Sequence, residues 1–200
     1  RAVVDVPVLA IEKVLQEDGE ILITPSLEAA RRLVAAGADM IALDCTLRGQ
    51  RFGALERLRR IRSELGVPVM ADVATIEEAR VAEAAGADLV ASTMRGYTAE
   101  TRGMSSFDDG FVGEWARVLR TPLVVDGRVS TPEQAARAIR AGAFAVVVGA
   151  AITRPQEMAR RFADAIAFGG RSEEYRHFLA IDLGGTNTKY GLVSREGELL

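Results

Sequence analysis

Short, uninterrupted apolar runs alternate along the chain with longer segments in which apolar residues recur at helical spacing. Runs without alternation are typical of parallel strands that are covered on both faces. They predict strands at about Val6–Ile11, Met40–Asp44, Pro68–Asp72, Leu89–Thr93, Leu123–Asp126 and Ala145–Gly149. The other segments predict helices at about Ser26–Ala36, Arg51–Leu65, Ile76–Ala85, Phe107–Leu119, Pro132–Ala141 and Pro155–Ala167. The pattern therefore predicts an α/β fold with six strand–helix units.

The punctuation between these elements repeats in pairs. A proline introduces the first, third and fifth strands, and an Ala-Gly-Ala triplet precedes the second, fourth and sixth. A pair of strand–helix units that repeats three times favours a closed (β/α)8 barrel, the TIM barrel, over an open doubly wound sheet. Because such a barrel has eight units, we expect the chain to be N-terminally truncated, with two units before Arg1. The strands at the resulting edges are then expected to invite aggregation or strand exchange.

The second predicted helix is amphipathic. Its apolar residues mark one face, at Leu55, Leu58, Ile61 and Leu65. Most of its arginines fall outside that face: Arg57, Arg59, Arg60 and Arg62. We expect this helix to lie on the sheet with its arginines in solvent. Trp115, in a later helix, is expected to pack between helix and barrel.

Polar side chains stand where the predicted strands end. They are Lys13, Asp44, Asp72, Thr93 and Asp126. In a (β/α)8 barrel the carboxyl ends of the strands form the active-site face, so these residues are expected to converge there. An aspartate after a strand can instead cap the next helix, and that alternative applies to each aspartate taken alone.

Glycines end the last two strands and favour a phosphate site. Gly127 and Gly149 would let backbone N–H groups approach an anion next to helix N-termini. Thr131-Pro132-Glu133-Gln134 reads as a capping box with proline at the first helical position, so a helix is expected to begin there. Arg128 is either a cation for the phosphate or a surface side chain.

Composition and charge narrow the class of protein. The net charge is −3 with both signs interspersed, which argues against nucleic acid or an acidic membrane as the main partner. The single cysteine, Cys45, excludes an internal disulfide, fits a reducing compartment and is expected to be a small buried side chain. His177 is the only histidine, so we expect neither a histidine triad nor a metal site in the main body. We see no signal peptide or spanning run and expect a cytoplasmic protein.

The composition changes after Ala167. Residues 168–177 are polar and contain glycine, which predicts a linker. Residues 178–200 begin a new pattern, with a buried strand, a glycine turn and a second strand. The predicted domains are thus 1–167, the linker, and 178–200.

Six motifs of the main body resemble the bacterial N-acetylmannosamine-6-phosphate 2-epimerases of the ribulose-phosphate-binding barrel superfamily. They are ITPS at 23–26, AGADMIALDCT at 36–46, MADVAT at 70–75, STMRGYT at 92–98, DGRVSTPEQA at 126–135 and VVVGAAITRPQ at 146–156. The resemblance implies that Lys13 is the catalytic lysine and that Asp72 binds substrate. It also implies that Arg154, with the loops at Gly127 and Gly149, contacts the sugar phosphate. Asp126 stands where the family has a catalytic glutamate. The aspartate side chain is one methylene shorter, so its reach toward the substrate differs from that of the glutamate.

AIDLGGTNT, at 180–188, resembles the first strand and phosphate loop of ROK-family sugar kinases. The resemblance implies an ATP site at Asp182, Gly184, Gly185 and Thr186, with ATP and Mg²⁺ required by a complete kinase domain. Fusions of such epimerases to N-acetylmannosamine kinases occur in bacteria. A strand, two glycines and a strand also describe an ordinary hairpin.

The predicted function is epimerisation of N-acetylmannosamine-6-phosphate at C2, in sialic acid catabolism and without a cofactor. Lys13 would carry the C2 proton, and Asp126 would handle the proton at the carbonyl oxygen. Asp44, Asp72 and Thr93 would bind the sugar, and Arg128 and Arg154 the phosphate. Two alternatives stay open: another phosphate-binding barrel, such as a lyase or synthase, and a barrel that binds sugar phosphate without turnover. The sequence leaves open a homo-oligomer.

Overall fold

The structure, a computed structural model, describes residues 5–16, 19–104, 106–169, 178–183 and 188–193. The chain divides into two compact units, Arg1–Val148 and Gly149–Leu200. No helix within the described ranges has both the length and the apolar character that crossing a bilayer requires.

The strands of the first unit are short and lie between helices. They are β1 (Leu9–Ala10), β2 (Lys13–Leu15), β3 (Ile21–Ile23), β4 (Met40–Asp44), β5 (Val69–Asp72), β6 (Leu89–Ala91), β7 (Leu123–Asp126) and β8 (Ala145–Val147). Within the described residues, six of them form a parallel sheet in the order β1-β4-β5-β6-β7-β8. Strands β2 and β3 pair antiparallel as a separate hairpin. A parallel sheet whose order follows the chain is the arrangement of a (β/α)8 barrel.

Helices follow the sheet strands, as the apolar pattern predicts. They are α1 (Leu27–Ala35), α2 (Leu47–Arg51), α3 (Ala54–Arg60), a π-helical turn (Ile61–Leu65), α4 (Ile76–Ala85), α5 (Asp109–Val118) and α6 (Pro132–Arg140). The predicted capping box at Thr131 and Gln134 is confirmed, with Pro132 in the first turn. Thr75 and Glu78 form a second capping box, at α4. Both boxes fix the point where the chain turns from strand to helix.

The predicted helix Arg51–Leu65 is confirmed from Ala54 to Leu65, where α3 continues directly into the π-helical turn, but its predicted start is wrong by three residues. Helix α2 ends at Arg51 and α3 begins at Ala54, because Gly53 has left-handed backbone with φ 76°. The expectation for Arg57 is also wrong, since this side chain is only 8% exposed and its Nη1 donates to the carbonyl of Phe52 at 3.0 Å. The carbonyl that ends α2 gives this arginine a partner inside the fold.

The first predicted strand is shorter than expected, and the hairpin after it was not predicted. Strand β1 covers only Leu9–Ala10, and Lys13, expected in a loop just past that strand, lies in β2 of the hairpin. Strands of two and three residues hold too few positions for a period of two to show in the sequence.

The sheet separates two apolar clusters, because successive residues of a strand point to opposite faces. The larger cluster lies between sheet and helices and includes Ile41, Val90 and Val125 from the strands and Trp115 from α5. Trp115 is 2% exposed, which confirms its predicted packing role. The smaller cluster lies on the other face of the sheet and consists of Ala42, Met70, Ala91 and Val124.

The second unit contains two helices and a hairpin within its described residues. They are α7 (Ala150–Thr153), α8 (Pro155–Gly169), β9 (Phe178–Leu183) and β10 (Thr188–Val193). Strands β9 and β10 pair antiparallel, with Asp182 opposite Lys189. The two predicted strands are therefore present, the glycine turn between them lies outside the described residues, and the assignment to a kinase domain stays a prediction. Gly184, Gly185 and Thr186 lie outside the described residues.

Candidate active site

Four polar residues continue the inner face of the sheet beyond its small apolar cluster. Each stands two residues after a member of that cluster: Asp44 after Ala42, Asp72 after Met70, Thr93 after Ala91 and Asp126 after Val124. Since side chains two apart share a face of a strand, all four are placed on the inner side at the carboxyl ends. Asp44 and Asp72 are direct partners in the register of β4 and β5.

Thr93 joins two of these carboxyls. Its Oγ1 lies 2.7 Å from Asp72 Oδ1 and 3.1 Å from Asp126 Oδ2, both hydrogen-bonding distances. The neighbouring Ser92 fixes the backbone of Asp126, since its hydroxyl donates to the Asp126 carbonyl at 3.0 Å and accepts from the Asp126 N–H at 3.2 Å. The end of β6 therefore positions Asp72 and Asp126 relative to each other.

Burial governs the acidity of this pair. Loss of solvation raises the pKa of Asp72 to about 7, and the negative charges of Asp126 and Asp44 act in the same direction. The hydrogen bond from Thr93 and the charge of Lys13 oppose that rise. Burial also raises the pKa of Asp126, against the Thr93 hydroxyl, the Gly127 N–H and Lys13. At neutral pH the site can therefore hold a carboxylic acid beside a carboxylate.

Lys13 is exposed on β2, and its charge acts on both Asp72 and Asp126. Thr24, at the end of β3, anchors this hairpin to the sheet. Its Oγ1 donates to the Ala42 carbonyl at 2.6 Å, and its N–H donates to the Glu12 carbonyl at 2.7 Å. Thr24 is fully buried and has a left-handed backbone with φ 47°, uncommon for a β-branched residue. This strained residue holds the segment that carries Lys13.

Asp44 makes the local contacts of a turn residue. Its Oδ1 accepts hydrogen bonds from the N–H of Thr46 at 2.9 Å and from the Thr46 hydroxyl at 2.6 Å. Helix α2 packs directly on it, since a Cβ on Gly49 would overlap the Asp44 carbonyl. The alternative that a strand-end aspartate caps the next helix does not hold for Asp44, because the N-cap of α2 is Thr46 and Asp44 instead holds that residue in the turn. Cys45, which follows it, is fully buried as predicted, and burial strongly raises the pKa of its thiol.

Arg128 follows Gly127 in a tight left-handed turn, with φ 89° at Gly127 and 65° at Arg128. Its guanidinium stacks on the ring of Tyr97, which belongs to the loop between β6 and α5. Gly96 allows this packing, because a Cβ there would overlap the Met104 carbonyl and lie 3.3 Å from Arg128 Nη2. Arg128 Nε is buried without a hydrogen-bond partner among the described residues. Arg128 is therefore a held side chain with unused donor capacity.

Gly149 and Arg154 belong to the second unit. Gly149 precedes α7 and its carbonyl accepts from the N–H groups of Ile152 and Thr153, at 2.9 and 3.0 Å. The side chain of Arg154 is exposed. Their expected phosphate role therefore stays a prediction. Among the described residues no cluster of three or more His, Cys, Asp and Glu side chains could hold a metal ion.

Reasoning from the sequence missed the supporting residues Thr24, Ser92 and Tyr97. Each lies in a motif that was noted, ITPS or STMRGYT, but no role was assigned to it. In ITPS, the sequence signal that could have indicated a supporting role is the position of Thr24 between an apolar run and the cap of α1. The contact between Tyr97 and Arg128 had no signal, because it joins residues 31 positions apart through a loop.

The fold and the site define the class of protein: an α/β barrel with acid–base groups at the carboxyl ends of its strands. The family model "Putative N-acetylmannosamine-6-phosphate epimerase" matches residues 1–168. The chain belongs to this family. The solved N-acetylmannosamine-6-phosphate 2-epimerase from Clostridium perfringens superposes with a TM-score of 0.74 at 35% identity, covering 82% of this chain and 72% of that one. This match confirms the predicted barrel class.

Two relatives extend the comparison. The bifunctional enzyme NanE/NanK of Brucella melitensis is 42% identical over 187 residues, which is 94% of this chain and 35% of that protein. The putative N-acetylmannosamine-6-phosphate 2-epimerase of Caldanaerobacter subterraneus subsp. tengcongensis is 40% identical over 163 residues, covering 80% of this chain and 68% of that protein. The chain thus spans about a third of the bifunctional relative and about two thirds of the other.

Proposed function

We propose that the chain carries the epimerase site of an enzyme that interconverts N-acetylmannosamine-6-phosphate and N-acetylglucosamine-6-phosphate. One observation carries the proposal: the charge of Lys13 acts on the buried Asp72 and the half-buried Asp126, two carboxyls that share the Thr93 hydroxyl at the carboxyl ends of the strands. A base beside a carboxyl group that can be protonated at neutral pH is the equipment for moving a proton next to a carbonyl.

The chemistry begins from the open-chain sugar, whose C2 proton is acidified by the neighbouring aldehyde. The amine of Lys13 takes that proton. The electrons of the broken C–H bond form the C1–C2 double bond, and the carbonyl oxygen receives a proton from Asp126. Return of both protons, with C2 presenting its other face, gives the epimer.

The remaining residues bind and orient the sugar phosphate. Asp72 and Thr93 lie beside Asp126 and are suited to the sugar hydroxyls, while Asp44 supports the adjacent turn. Arg128 supplies a cation whose Nε has no partner among the described residues, and Gly127 supplies a backbone N–H in a left-handed turn. We assign the phosphate to these two residues, and the phosphate role of Gly149 and Arg154 stays what the family resemblance implies.

The test uses the full-length protein with N-acetylmannosamine-6-phosphate in D₂O, followed by proton NMR. We expect loss of the C2 proton signal together with appearance of the glucosamine epimer. Lys13→Met should lower the rate of exchange at C2 by at least ~10²-fold, because the variant lacks an acid–base group. The sequence contains one other lysine, so Lys189→Met is the matched control and should exchange normally.

The other outcomes separate the alternatives. Binding of the sugar phosphate without exchange at C2 would support a barrel that binds without turnover. Cleavage of the sugar would support a lyase. Absence of both binding and exchange would overturn the proposed site.

We also propose that residues 178–200 begin a sugar-kinase domain that uses ATP and Mg²⁺. The 187-residue match to the bifunctional relative and the β9–β10 hairpin support this proposal. Phosphate transfer from ATP to N-acetylmannosamine by the full-length protein is the corresponding assay. Asp182→Asn should abolish this transfer and leave the exchange at C2 intact.

A further inference from the structure

The hydroxyl of Thr93 contacts two acidic groups but has a single hydrogen. Its oxygen lies 2.7 Å from Asp72 Oδ1 and 3.1 Å from Asp126 Oδ2. A threonine hydroxyl can donate one hydrogen bond and accept up to two. If Thr93 donates to one carboxyl, the contact with the other is a hydrogen bond only when that carboxyl donates its own proton to Thr93.

Two ionised carboxylates would not fit this geometry. One of the two oxygen pairs would then face each other without a hydrogen between them, at hydrogen-bonding distance. Asp72 is 2% exposed, so solvent does little to screen such a contact or the repulsion between the charges. One proton on the pair satisfies both contacts.

We propose that Asp72, Thr93 and Asp126 hold one proton in common at neutral pH, and that Thr93 positions the two carboxyls to pass it between them. The consequence for catalysis rests on the proposed function. When the shared proton lies on Asp72, Asp72 gives it to the Thr93 oxygen while the Thr93 hydrogen moves to Asp126, and Asp126 then gives its proton to the substrate oxygen. The net change is one proton from Asp72 to the substrate, so the relay supplies the acid at Asp126 from inside the fold.

The charged groups around the pair agree with one retained proton. Asp44, on β4, raises the pKa of Asp72, and Lys13, on β2, lowers the pKa of both Asp72 and Asp126. The Cys45 thiol, after β4, has a pKa strongly raised by burial and by Asp72, so it stays neutral. Arg128, after β7, has its guanidinium on the Tyr97 ring. The pair therefore faces one negative side chain, Asp44, and one positive side chain, Lys13. If both carboxyls of the pair were ionised, the site would hold three negative charges, which is disfavoured.

The test is a titration of the full-length protein with ¹³C-labelled aspartate carboxyls, with the two resonances assigned by Asp72→Asn and Asp126→Asn. In the wild-type protein we expect the pair to lose one proton at low pH and to keep the second beyond neutrality. Thr93→Val removes two hydrogen bonds from the one-proton state but only one from the fully ionised state, so the upper midpoint should fall by about one pH unit. Thr93→Ser keeps the hydroxyl and should titrate like the wild type.

The rate of C2 exchange gives a second readout. If the shared proton serves as the acid, exchange falls as pH rises through the upper midpoint, and Thr93→Val moves this alkaline limb to lower pH. A merely structural loss would lower the rate equally at all pH values. Two ionised carboxyls in the wild type at pH 7 would overturn the proposal, as would identical titrations of Thr93→Val and Thr93→Ser. The titration does not depend on turnover, so failure of the proposed function would be seen separately.

Discussion

The guanidinium carbon of Arg128 lies 4.3 Å from the centroid of the Tyr97 ring. This is the geometry of a cation–π contact, worth about 0.5–2 kcal/mol according to its exposure. Tyr97 is 61% exposed, so the contact lies toward the weaker end of that range. The contact orients the guanidinium of Arg128, the cation to which we assign the substrate phosphate under the proposed function.

The first prediction removes that orientation. Tyr97→Leu should raise the KM for the sugar phosphate by about threefold to tenfold, because Arg128 loses its platform while the acid–base groups stay in place. The value of kcat should stay within about twofold. Tyr97→Phe keeps the aromatic face and serves as the control. Steady-state kinetics and competition by inorganic phosphate measure both variants, and an unchanged KM for Tyr97→Leu would argue against a phosphate role for Arg128.

Thr24→Val is predicted to damage both stability and turnover. The substitution leaves the buried Ala42 carbonyl without the hydroxyl that now donates to it, at a cost of about 1–3 kcal/mol. It also loosens the hairpin that carries Lys13, so kcat should fall more than KM changes. Thr24→Ser keeps the hydroxyl and should retain most activity. Urea unfolding and turnover are the measurements, and equal behaviour of the two variants would show that the hydroxyl does not hold the hairpin.

Much of the site could be predicted from the sequence because a strand has a period of two. Asp44, Asp72 and Asp126 follow small or apolar inner residues by two positions, so their common face is fixed once the strands are recognised. The parallel order follows from the alternation of strand and helix. The position of Thr93 followed from the same rule, but its contact with two carboxyls depends on the stagger between β5, β6 and β7.

Other features depend on contacts that no local pattern encodes. Arg57 lies in an arginine-rich helix segment yet is buried, since the carbonyl of Phe52 lies within reach of it. Lys13 sits on a three-residue strand whose pairing is fixed by Thr24 and the sheet behind it. A left-handed threonine is unfavourable by itself, so its presence can be explained only by the tertiary hydrogen bonds that it makes.

Two glycines in helices give a matched pair of predictions. Gly49→Ala places a methyl group onto the backbone and carboxylate of Asp44, so α2 must move and stability should fall by about 1–3 kcal/mol. Gly113→Ala, in α5, meets only an ordinary 3.8 Å contact with the Ala141 carbonyl. It should stabilise the protein by about 0.5–1 kcal/mol through the lower backbone entropy of alanine. Urea unfolding measures both variants. A change of stability in the same direction for both would contradict the close packing at Asp44.

The buried Asp72 predicts a loss of stability as pH rises. Its pKa is about 7 in the folded protein against an ordinary value of 3.8, so the folded state holds the proton more tightly than the unfolded chain. The contribution of Asp72 to stability is therefore present below about pH 4 and is lost as pH rises from about 4 to 7. Asp72→Asn removes this titration and should gain roughly 2–4 kcal/mol relative to the wild type between pH 4 and pH 8. Denaturant midpoints of the wild type and Asp72→Asn at the two pH values test this prediction. If the midpoints of both proteins changed equally with pH, the burial argument would be refuted.

Asp126 is predicted to be the group whose chemistry matters most after Lys13. Asp126→Asn keeps the size and one oxygen but cannot give a proton to the substrate, so kcat should fall by about 10²–10⁴-fold. Asp126→Glu keeps the acid and lengthens the arm by one methylene, which changes its reach toward Thr93 and substrate by about 1 Å. Turnover by the glutamate variant that is no higher than that of the wild type would show that the short arm is no obstacle to catalysis, whereas a clear gain would show that it is one. Full activity in Asp126→Asn would remove Asp126 from the mechanism, because neither its proton nor its charge would then be needed.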